Sequence, residues 1–496
     1  MRYYLVAVAK ALSVAQALSV APPPISQGLS RAFREVMGTL PAAVEENLAS
    51  RGVREPTAIQ KCAGGLLRAG RSALLSAETG SGKSLAFLLP TLARLEEPDE
   101  CVVILAPTRE LALQLATEAT PLLRGFFAGS REDGGTSGVE LLVVGSATTS
   151  GALKRARCIV ATPKEALETF SGRPGLLEKL SKATALVLDE VDALLPPKKK
   201  DYRSAGSKER AKQSGKKKMK KPSPPSPAAR FVALMLKSNP SPALQVIGAS
   251  ATASRATRDA VKQALRDDPY GRFTVLQGND DPLELVRPGT SDETAPRSVV
   301  VPRVVDHRVA TIEKGATHDH AMRVVADVVR TVKPKSALVF LTKGTGYAVA
   351  PCCDALGDNL EEDVAALHDL LFSRQHSDAE EEEDNRVATL ERGRQQLADN
   401  VKRATAPVLV TFEDSARGLH FDAVDLVVVV GLPATPASYL HLAGRTGRRL
   451  GDDITPGTVV TVCPPKAVPV LRSWSKQLGD LTFHDLVVVV SSPGDD

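Results

Sequence analysis

Short runs of apolar, mostly β-branched residues alternate with longer stretches of helical periodicity along most of the chain. The apolar runs are continuous, which is typical of parallel strands that are covered on both faces. Helical patterns lie between them, for example at Glu110–Ala119 and Ala321–Val329. This alternation predicts an α/β protein with two parallel-sheet domains. The predicted strands are Ala73–Ser76, Val102–Ala106, Leu141–Val144, Ile159–Ala161, Leu186–Asp189, Val246–Ala249, Ala337–Leu341, Val408–Thr411, Leu426–Val430 and Val459–Val462.

The length of the chain and two breaks in this pattern suggest a division into parts. A chain of 496 residues predicts two or three domains of about 150 residues each. Asp280–Arg297 is rich in Asp, Pro, Gly and Thr, whereas Pro196–Ala229 is rich in Lys, Ser and Pro and predicts a flexible insertion. The expected division is an N-terminal extension at 1–34, a first domain at 35–280 with an insertion at 196–229, a linker at 281–297, a second domain at 298–485 and a tail at 486–496.

Composition and charge change this picture only locally. Hydrophobic residues make up 43% and charged residues 24% of the chain, which excludes disorder along its whole length. The net charge of +5 comes from one cluster, because Lys198–Lys221 holds twelve basic and two acidic residues. The cluster is typical of a nuclear-import signal, an RNA tether or a solvated spacer, and the three stay open. An acidic cluster at 378–384 predicts a solvated surface.

The composition of the first residues is typical of a signal for import into an organelle. Met1–Arg34 contains no Asp or Glu but four basic residues among Ala, Ser, Val and Leu, a composition typical of a mitochondrial or plastid transit peptide. The alternative is an ordinary amphipathic N-terminal helix. Because the basic cluster at Lys198–Lys221 favours the nucleus or nucleolus instead, localisation stays open between organelle and nucleus.

Cysteine spacing and apolar run length exclude two classes of protein. The six cysteines include no CxxC pair, so we expect reduced thiols rather than a disulfide framework or a metal site built on cysteine. The longest apolar runs, such as Leu426–Val430 and Leu486–Val490, fall far short of the ~20 residues of a membrane helix. We therefore expect no membrane span.

A phosphate-binding loop is the strongest chemical signal. Ala77–Ser84 follows a predicted strand, precedes a helical pattern and departs from the P-loop formula only in beginning with Ala instead of Gly. Gly80 and Gly82 allow backbone N–H groups to surround phosphate oxygens at the positive end of the helix. Lys83 can reach the β- and γ-phosphates, and the Ser84 hydroxyl can ligate Mg²⁺. The loop predicts a nucleotide and Mg²⁺ as cofactors.

Carboxylates about a hundred residues later predict the other side of the same site. Leu186–Asp192 is an apolar strand that ends in acidic residues. At the carboxyl edge of a parallel sheet Asp189 would face the ligand crevice and hold Mg²⁺ through water. Glu190 would orient or deprotonate the attacking water.

Together these motifs resemble those of the DEAD-box ATP-dependent RNA helicases and appear in that family's order over roughly Gly52–Gly451. Gly52–Gln60 resembles the Q motif, Ala77–Ser84 motif I, Ala106–Ala112 motif Ia, Asp189–Asp192 a DEVD variant of motif II, Ser250–Thr252 motif III, Ala416–Leu419 motif V and His441–Arg448 motif VI. The resemblance implies two tandem RecA-like domains, each a parallel sheet covered by helices on both faces.

The resemblance also implies roles for particular residues. The implied catalytic residues are Lys83, Asp189, Glu190, Arg445 and Arg448, the last two as arginine fingers sent across from the second domain. The implied ATP contacts are Thr57, Gln60, Ala77, Thr79, Gly80, Ser81, Gly82, Lys83, Ser84 and Gly418, with Ser84 and Asp189 on Mg²⁺. The implied RNA contacts are Pro107, Thr108, Arg109, Thr162, Pro163 and Thr411. The implied coupling residues, which link the ATP site to RNA, are Ser250, Thr252, Arg417 and His441.

Several positions depart from the family's pattern. Thr411–Glu413 stands where the family has Thr-Asp ahead of motif V, and His420 stands where an Asp contacts ribose. Leu442 replaces the first Arg of motif VI, and Thr162–Glu165 reads Thr-Pro-Lys-Glu where Thr-Pro-Gly-Arg is usual. The ATP machinery of the first domain is therefore intact, whereas coupling and part of the RNA groove are altered.

The function expected from the resemblance is that of a monomeric RNA helicase or RNA-remodelling ATPase. ATP hydrolysis would follow RNA-driven closure of the two domains and would unwind RNA locally or remodel ribonucleoprotein, with ribonucleoprotein partners. RNA would be held by sequence-independent backbone contacts and told from DNA by its 2′-hydroxyls. Two alternatives stay open: an ATP-dependent RNA clamp with weak or no unwinding, and a DNA-directed helicase.

Overall fold

The computed structural model describes most of both expected domains. The described residues are 29–77, 81–128, 138–196, 224–273, 283–288, 304–361, 364–367, 408–416 and 424–486, apart from 145, 147, 252–254, 448, 451–452, 455 and 479. The basic cluster, the acidic cluster and residues 1–28 of the expected extension lie outside them.

The first half of the chain forms a parallel sheet of seven strands in the order β3-β4-β2-β5-β6-β1-β7. Its elements are α1 (Arg31–Met37), α2 (Ala42–Ser50), α3 (Ala58–Arg68), β1 (Ala73–Ser76), α4 (Lys83–Leu92), β2 (Cys101–Leu105), α5 (Arg109–Phe126), β3 (Val139–Leu142), α6 (Ser150–Arg155), β4 (Cys158–Ala161), α7 (Pro163–Phe170), α8 (Pro174–Ser181), β5 (Ala183–Leu188), α9 (Val191–Leu194), α10 (Pro227–Ser238), β6 (Gln245–Ser250), α11 (Arg255–Leu265) and β7 (Glu284–Val286).

The second half forms another parallel sheet of seven strands, in the order β10-β11-β9-β12-β15-β8-β16, and a small antiparallel hairpin of β13 and β14. Its elements are β8 (Val305–Thr311), α12 (His318–Val332), β9 (Ala337–Leu341), a 3₁₀ turn (Lys343–Thr345), α13 (Val349–Leu360), β10 (Val364–Ala366), β11 (Val408–Phe412), a 3₁₀ turn (Glu413–Ala416), β12 (Leu426–Val430), α14 (Pro436–Ala443), β13 (Arg449–Leu450), β14 (Asp453–Ile454), β15 (Gly457–Cys463), a 3₁₀ turn (Pro465–Ala467), α15 (Val468–Ser473), a 3₁₀ turn (Ser475–Leu478) and β16 (His484–Asp485).

Each sheet is covered by helices on both faces, as the continuous apolar strands predict. Alternate residues of β2 show this directly. Val102 and Ile104 belong to one buried cluster with α3, α4 and α5, whereas Val103 and Leu105 belong to another that contains side chains of α7 and α10. The second sheet likewise separates two buried clusters. The predicted fold, two parallel α/β sheets in tandem, is confirmed.

The strand bounds agree closely with the pattern, and most of the strands missing from the prediction are short or lie at a sheet edge. All ten predicted strands are present, whereas β7, β8, β10, β13, β14 and β16 were not predicted. Glu284–Val286 falls inside the expected linker but pairs with β1 at the edge of the first sheet. Three-residue edge strands carry too little periodicity to be recognised, and polar residues interrupt the apolar pattern of β8.

Two expected boundaries also differ from the structure. Helix α1 begins at Arg31, inside the expected extension, and Phe33 is buried in the core of the first half. The last residues of the expected insertion, Pro227–Ala229, form the first turn of α10, which Ser226 caps. The six cysteines are free, and all except Cys62 are buried. In the described ranges no helix has both the length and the apolar character needed to span a membrane.

A buried ion pair attaches the segment that follows α11 to the C-terminal end of α10 and the loop after it. Arg272 donates to both carboxylate oxygens of Asp268, to Oδ1 at 2.7 Å and to Oδ2 at 3.2 Å. Its remaining N–H groups reach the carbonyl oxygens of Leu236, Asn239 and Ser241 at 2.8–3.1 Å. Burial alone would raise the pKa of Asp268, but the hydrogen bonds and charge of Arg272 hold it below its usual value.

Replacing Arg272 with Ala is expected to destabilise the first half by about 3–5 kcal/mol, because Asp268 and three carbonyls lose their donors. Chemical denaturation at pH 7 measures this, with exposed Arg266→Ala as the control. Since the pKa of Asp268 is lowered on folding, its contribution is present above about pH 4 and fades as the pH falls through the folded-state pKa. An Arg272→Ala variant as stable as Arg266→Ala would contradict this.

Candidate nucleotide site and the facing motifs

Three neighbouring strands of the first sheet bring the candidate motifs together. β5, β6 and β1 are adjacent, and the parallel arrangement places their carboxyl ends at one edge. The Ala77 N–H donates to the carbonyl oxygen of Ser250 at 3.2 Å. The Ser250 hydroxyl donates to Asp192 Oδ1 at 2.7 Å. The P-loop, motif II and motif III are thus tied to one another.

The described part of the P-loop includes a glycine in the left-handed backbone region. Gly82 has a φ of 87°, and a Cβ at this position would lie 2.6 Å from the Gln60 amide nitrogen. Lys83 begins α4 and is buried, with Nζ donating to the carbonyl oxygen of Ala77 at 2.7 Å. Ser81 and Ser84 are half-buried. Thr79 and Gly80 lie outside the described residues.

Gln60 connects the Q motif to this loop. The Gln60 Oε1 accepts from the Thr57 N–H at 2.9 Å, while Nε2 donates to the carbonyl oxygen of Gly82 at 3.1 Å. Thr57 is exposed at the start of α3, and Gln60 is buried beneath it. Gln60 therefore holds the P-loop backbone, a contact that the motif pattern by itself did not predict.

Two buried carboxylates face the P-loop lysine. Burial, together with the neighbouring charge of Glu190, raises the pKa of Asp189 to about 7. The Glu190 N–H donates to Asp189 Oδ1 at 3.0 Å. Glu190 itself has a φ of 48°, and its buried Oε2 atom has no hydrogen-bond partner in the structure. Burial lowers the pKa of Lys83, although the charges of Glu190 and Asp189 oppose the shift.

This donor set fits a divalent cation. Mg²⁺ is usually held by one or two carboxylates, a hydroxyl, waters and substrate phosphates. Asp189 is a buried carboxylate whose pKa is raised by burial and by the charge of Glu190, and Ser84 stands at the start of α4. A second group of donor atoms, from Glu190, Asp192 and His441, lies within 4.8 Å of one another. This second group joins motif II to motif VI.

Motif VI reaches the first half from α14. His441 lies in the last turn of this helix, and the Arg445 Nε donates to the His441 carbonyl oxygen at 3.0 Å. Arg445 is fully buried, and its positive charge contributes to lowering the pKa of Lys83. Arg445 therefore lies within electrostatic range of the P-loop lysine. Arg448, Arg417, Gly418 and Thr252 lie outside the described residues.

A buried polar contact anchors α14 to the second sheet. His307 Nδ1 lies 2.7 Å from the Tyr439 hydroxyl, linking β8 to the helix that carries His441. Phe483 packs against both rings. Burial lowers the pKa of His307 to about 4, so the imidazole is neutral at physiological pH.

The expected RNA contacts lie at helix starts and strand ends of both sheets. Thr108 caps α5 by accepting from the Leu111 N–H at 3.3 Å, and Pro107 and Arg109 flank it, half-buried. Thr162 caps α7, but its hydroxyl is buried and bonded to the Glu165 carboxylate. Pro163 follows it, half-buried.

At the corresponding edge of the second sheet Thr411 is buried and Phe412 is exposed. The sequence pattern did not assign a role to Asp192, Glu165 or Phe412. Asp192 could have been recognised as the last acid of motif II, and the other two as departures from the family's pattern.

The fold and site define a class of P-loop proteins with two tandem RecA-like domains. Residues 57–260 match the family model described as DEAD/DEAH box helicase, and residues 322–449 match the model described as helicase conserved C-terminal domain. The chain belongs to the DEAD-box helicase family.

Curated relatives are identical to the chain at about a quarter of the aligned positions. DEAD-box ATP-dependent RNA helicase 31 of Oryza sativa subsp. japonica is 27% identical and aligns with 80% of this chain and 61% of its own length. DEAD-box ATP-dependent RNA helicase 25 of Arabidopsis thaliana is 26% identical, over 80% of this chain and 59% of its own length. The chain thus spans about three fifths of these relatives.

Solved structures show the same fold. S. cerevisiae Dbp5 bound to RNA and ADP BeF3 superposes with a TM-score of 0.61 at 20% identity, over 92% of this chain and 96% of its own. Mss116p bound to ssRNA and AMP-PNP gives a TM-score of 0.63 at 17% identity, over 94% of this chain and 82% of its own.

Proposed function

We propose that this protein is an RNA-stimulated ATPase that remodels or locally unwinds RNA. The observation that carries the proposal is the convergence of His441 and Arg445, from the second half, on Lys83, Glu190 and Asp192 of the first. A hydrolytic site that needs residues from both halves is complete only when they are together. A ligand that binds across both halves therefore favours hydrolysis.

Each residue has a task that follows from its position. The P-loop N–H groups and Lys83 would bind the phosphates, and Glu190, with an unpartnered buried oxygen, would take a proton from the attacking water. Arg445 would stabilise the charge that develops on the γ-phosphate. Ser84 and Asp189 would hold Mg²⁺, which when bound offsets the negative charge of the β- and γ-phosphates.

RNA is the proposed activator. The relatives named above are RNA helicases, and two structures of similar fold are bound to RNA or ssRNA. In this chain the capping threonine Thr108 and the basic Arg109 stand at the carboxyl edge of the first sheet, where they would contact sugar and phosphate. Contacts of this kind carry no base information.

The test is to measure phosphate release from ATP, in the presence of Mg²⁺, with and without single-stranded RNA. We expect RNA to raise the rate severalfold or more, and an equal rate in both samples would reject the proposal. Competition between RNA and duplex DNA of equal length distinguishes a DNA-directed enzyme. Such an enzyme would bind DNA more tightly than RNA, and DNA would stimulate its ATP turnover more strongly.

An ATP-dependent RNA clamp is the second candidate. Glu165 favours it, because the carboxylate engages the Thr162 hydroxyl at an expected RNA contact. A strand-release assay with a short RNA duplex decides between the two. ATP turnover without release of the strand would favour the clamp, whereas ATP-dependent release would favour the helicase.

Replacing Glu165 with Arg is expected to strengthen RNA binding. The change removes a negative charge from the expected groove, frees the Thr162 hydroxyl and adds a cation. If one more phosphate is neutralised, the plot of log K against log salt steepens by about 0.7. Binding isotherms at several salt concentrations measure this, with exposed Glu178→Arg on α8 as a charge-matched control. Equal slopes for both variants would place Glu165 outside the groove.

A further inference from the structure

The carboxyl edge of the second sheet carries an exposed aromatic ring that the nucleotide site does not use. Phe412 is the last residue of β11 and is 42% exposed, whereas Val408–Thr411 before it are buried. Within the described residues no other phenylalanine side chain is exposed. Single exposed apolar side chains are common on protein surfaces. A role for Phe412 must therefore be argued from its position and its neighbours.

A lysine lies at the same edge of the sheet. Phe412 is paired with Leu341 in the sheet, and Lys343 follows two residues later in the 3₁₀ turn. The Lys343 N–H donates to Glu413 Oε1 at 3.1 Å, and its Nζ lies 2.5 Å from Asp414 Oδ2. The Lys343 side chain is 72% exposed. An aromatic ring and a mostly exposed lysine side chain, which is ion-paired with Asp414, thus share one edge. An aromatic ring near a basic side chain is the combination that binds single-stranded nucleic acid.

The same edge adjoins a helix of the first half that begins at an expected RNA contact. Helix α5 begins at Arg109 and packs against the turn Glu413–Ala416, which follows Phe412 directly. The turn that follows β11 is therefore close to the helix whose first residue is the expected RNA contact Arg109.

We infer that Phe412 stacks on a nucleobase of bound single-stranded RNA. The inference rests on the proposed function and adds a base contact to a groove that otherwise reads sugar and phosphate. Because every base has a π-face, the contact tolerates any sequence. Stacking, unlike an ionic contact with a phosphate, is insensitive to salt. A protein partner fits this edge less well, because the residues that adjoin Phe412 include the charged Glu413, Asp414 and Lys343 rather than an apolar patch.

The first test compares an RNA oligonucleotide with a base-free ribose–phosphate strand of the same length, in the presence of a non-hydrolysable ATP analogue. Phe412→Ala is expected to weaken binding of the RNA by about five- to a hundredfold and to leave binding of the base-free strand almost unchanged. Phe412→Trp should retain the affinity. Tyr270→Ala removes another exposed aromatic side chain, on the first half, and is the control. Equal weakening of both ligands by Phe412→Ala, or none, would overturn the inference.

The second test observes the stack itself. The chain has one tryptophan, Trp474, which is buried. In a Trp474→Phe background, Phe412→Trp supplies a single exposed indole whose fluorescence is expected to fall when RNA binds but not when the base-free strand binds. Anisotropy of labelled RNA reports binding independently. Binding of RNA without quenching of the indole fluorescence would reject stacking. Failure of the parent chain to bind RNA would reject the proposed function instead.

Discussion

Replacing Glu190 with Gln is expected to lower RNA-stimulated ATP turnover by about 10²–10⁴-fold while ATP binding is retained. The reason lies in the position of the carboxylate. Glu190 is buried at the carboxyl edge of the first sheet, and its Oε2 atom has no hydrogen-bond partner in the structure, so it can accept a proton. An amide of the same shape fills the same space but cannot act as a base.

Steady-state phosphate release at saturating ATP and RNA measures this effect. Exposed Glu46→Gln makes the same chemical change away from the site and should keep the parental rate. Because Glu190 is buried next to Lys83, thermal unfolding of both variants should be recorded together with binding of a fluorescent ATP analogue. If Glu190→Gln turned over ATP within a few-fold of the parent, another residue would have to be the base.

Replacing Arg445 with Ala is expected to reduce turnover by about 10³–10⁵-fold, the range for removal of an arginine finger in related nucleotide hydrolases. Arg445 is fully buried and close enough to Lys83 to help lower its pKa. Arg445→Lys should recover only a small part of the rate, because an ammonium keeps the charge but lacks the planar fork of donors. Neither variant should prevent nucleotide binding by the first half.

The design must separate chemistry from folding, since the Arg445 Nε also supports the backbone by donating to the His441 carbonyl oxygen. Melting temperature and ATP affinity are therefore measured for each variant, and Arg323→Lys on the exposed face of α12 serves as the conservative control. If the Arg445→Ala variant keeps a folded second half, binds ATP and hydrolyses it at the parental rate, Arg445 is not an arginine finger.

Local sequence patterns predicted the elements that are regular and buried. Ala73–Ser76, Ala337–Leu341 and Leu426–Val430 have the predicted bounds because continuous apolar runs have few other ways to be buried on both faces. The P-loop was predicted for a similar reason. Its chemistry depends on the backbone of neighbouring residues, so a contiguous motif contains most of the information.

Short strands at the edges of the sheets could not be predicted from local sequence patterns. Glu284–Val286 was assigned to a linker but is held in the first sheet by pairing with β1. Three residues contain no useful period, and the partner strand is about two hundred residues away. Likewise, nothing in a linear pattern indicates that Thr162 is buried and bonded to Glu165.

The class of fold, the nucleotide loop and the residue types available for hydrolysis follow from local patterns in the sequence. Which of these groups meet depends on the folded chain, which brings together Ser250 with Asp192, Gln60 with Gly82, and Arg445 of the second half with Lys83 of the first. The tertiary structure also decided that Phe412 is exposed while Thr411 is buried. The physical reason is that strand and loop formation depend on neighbours along the chain, whereas burial, pKa and proximity depend on groups that the chain brings together from far apart.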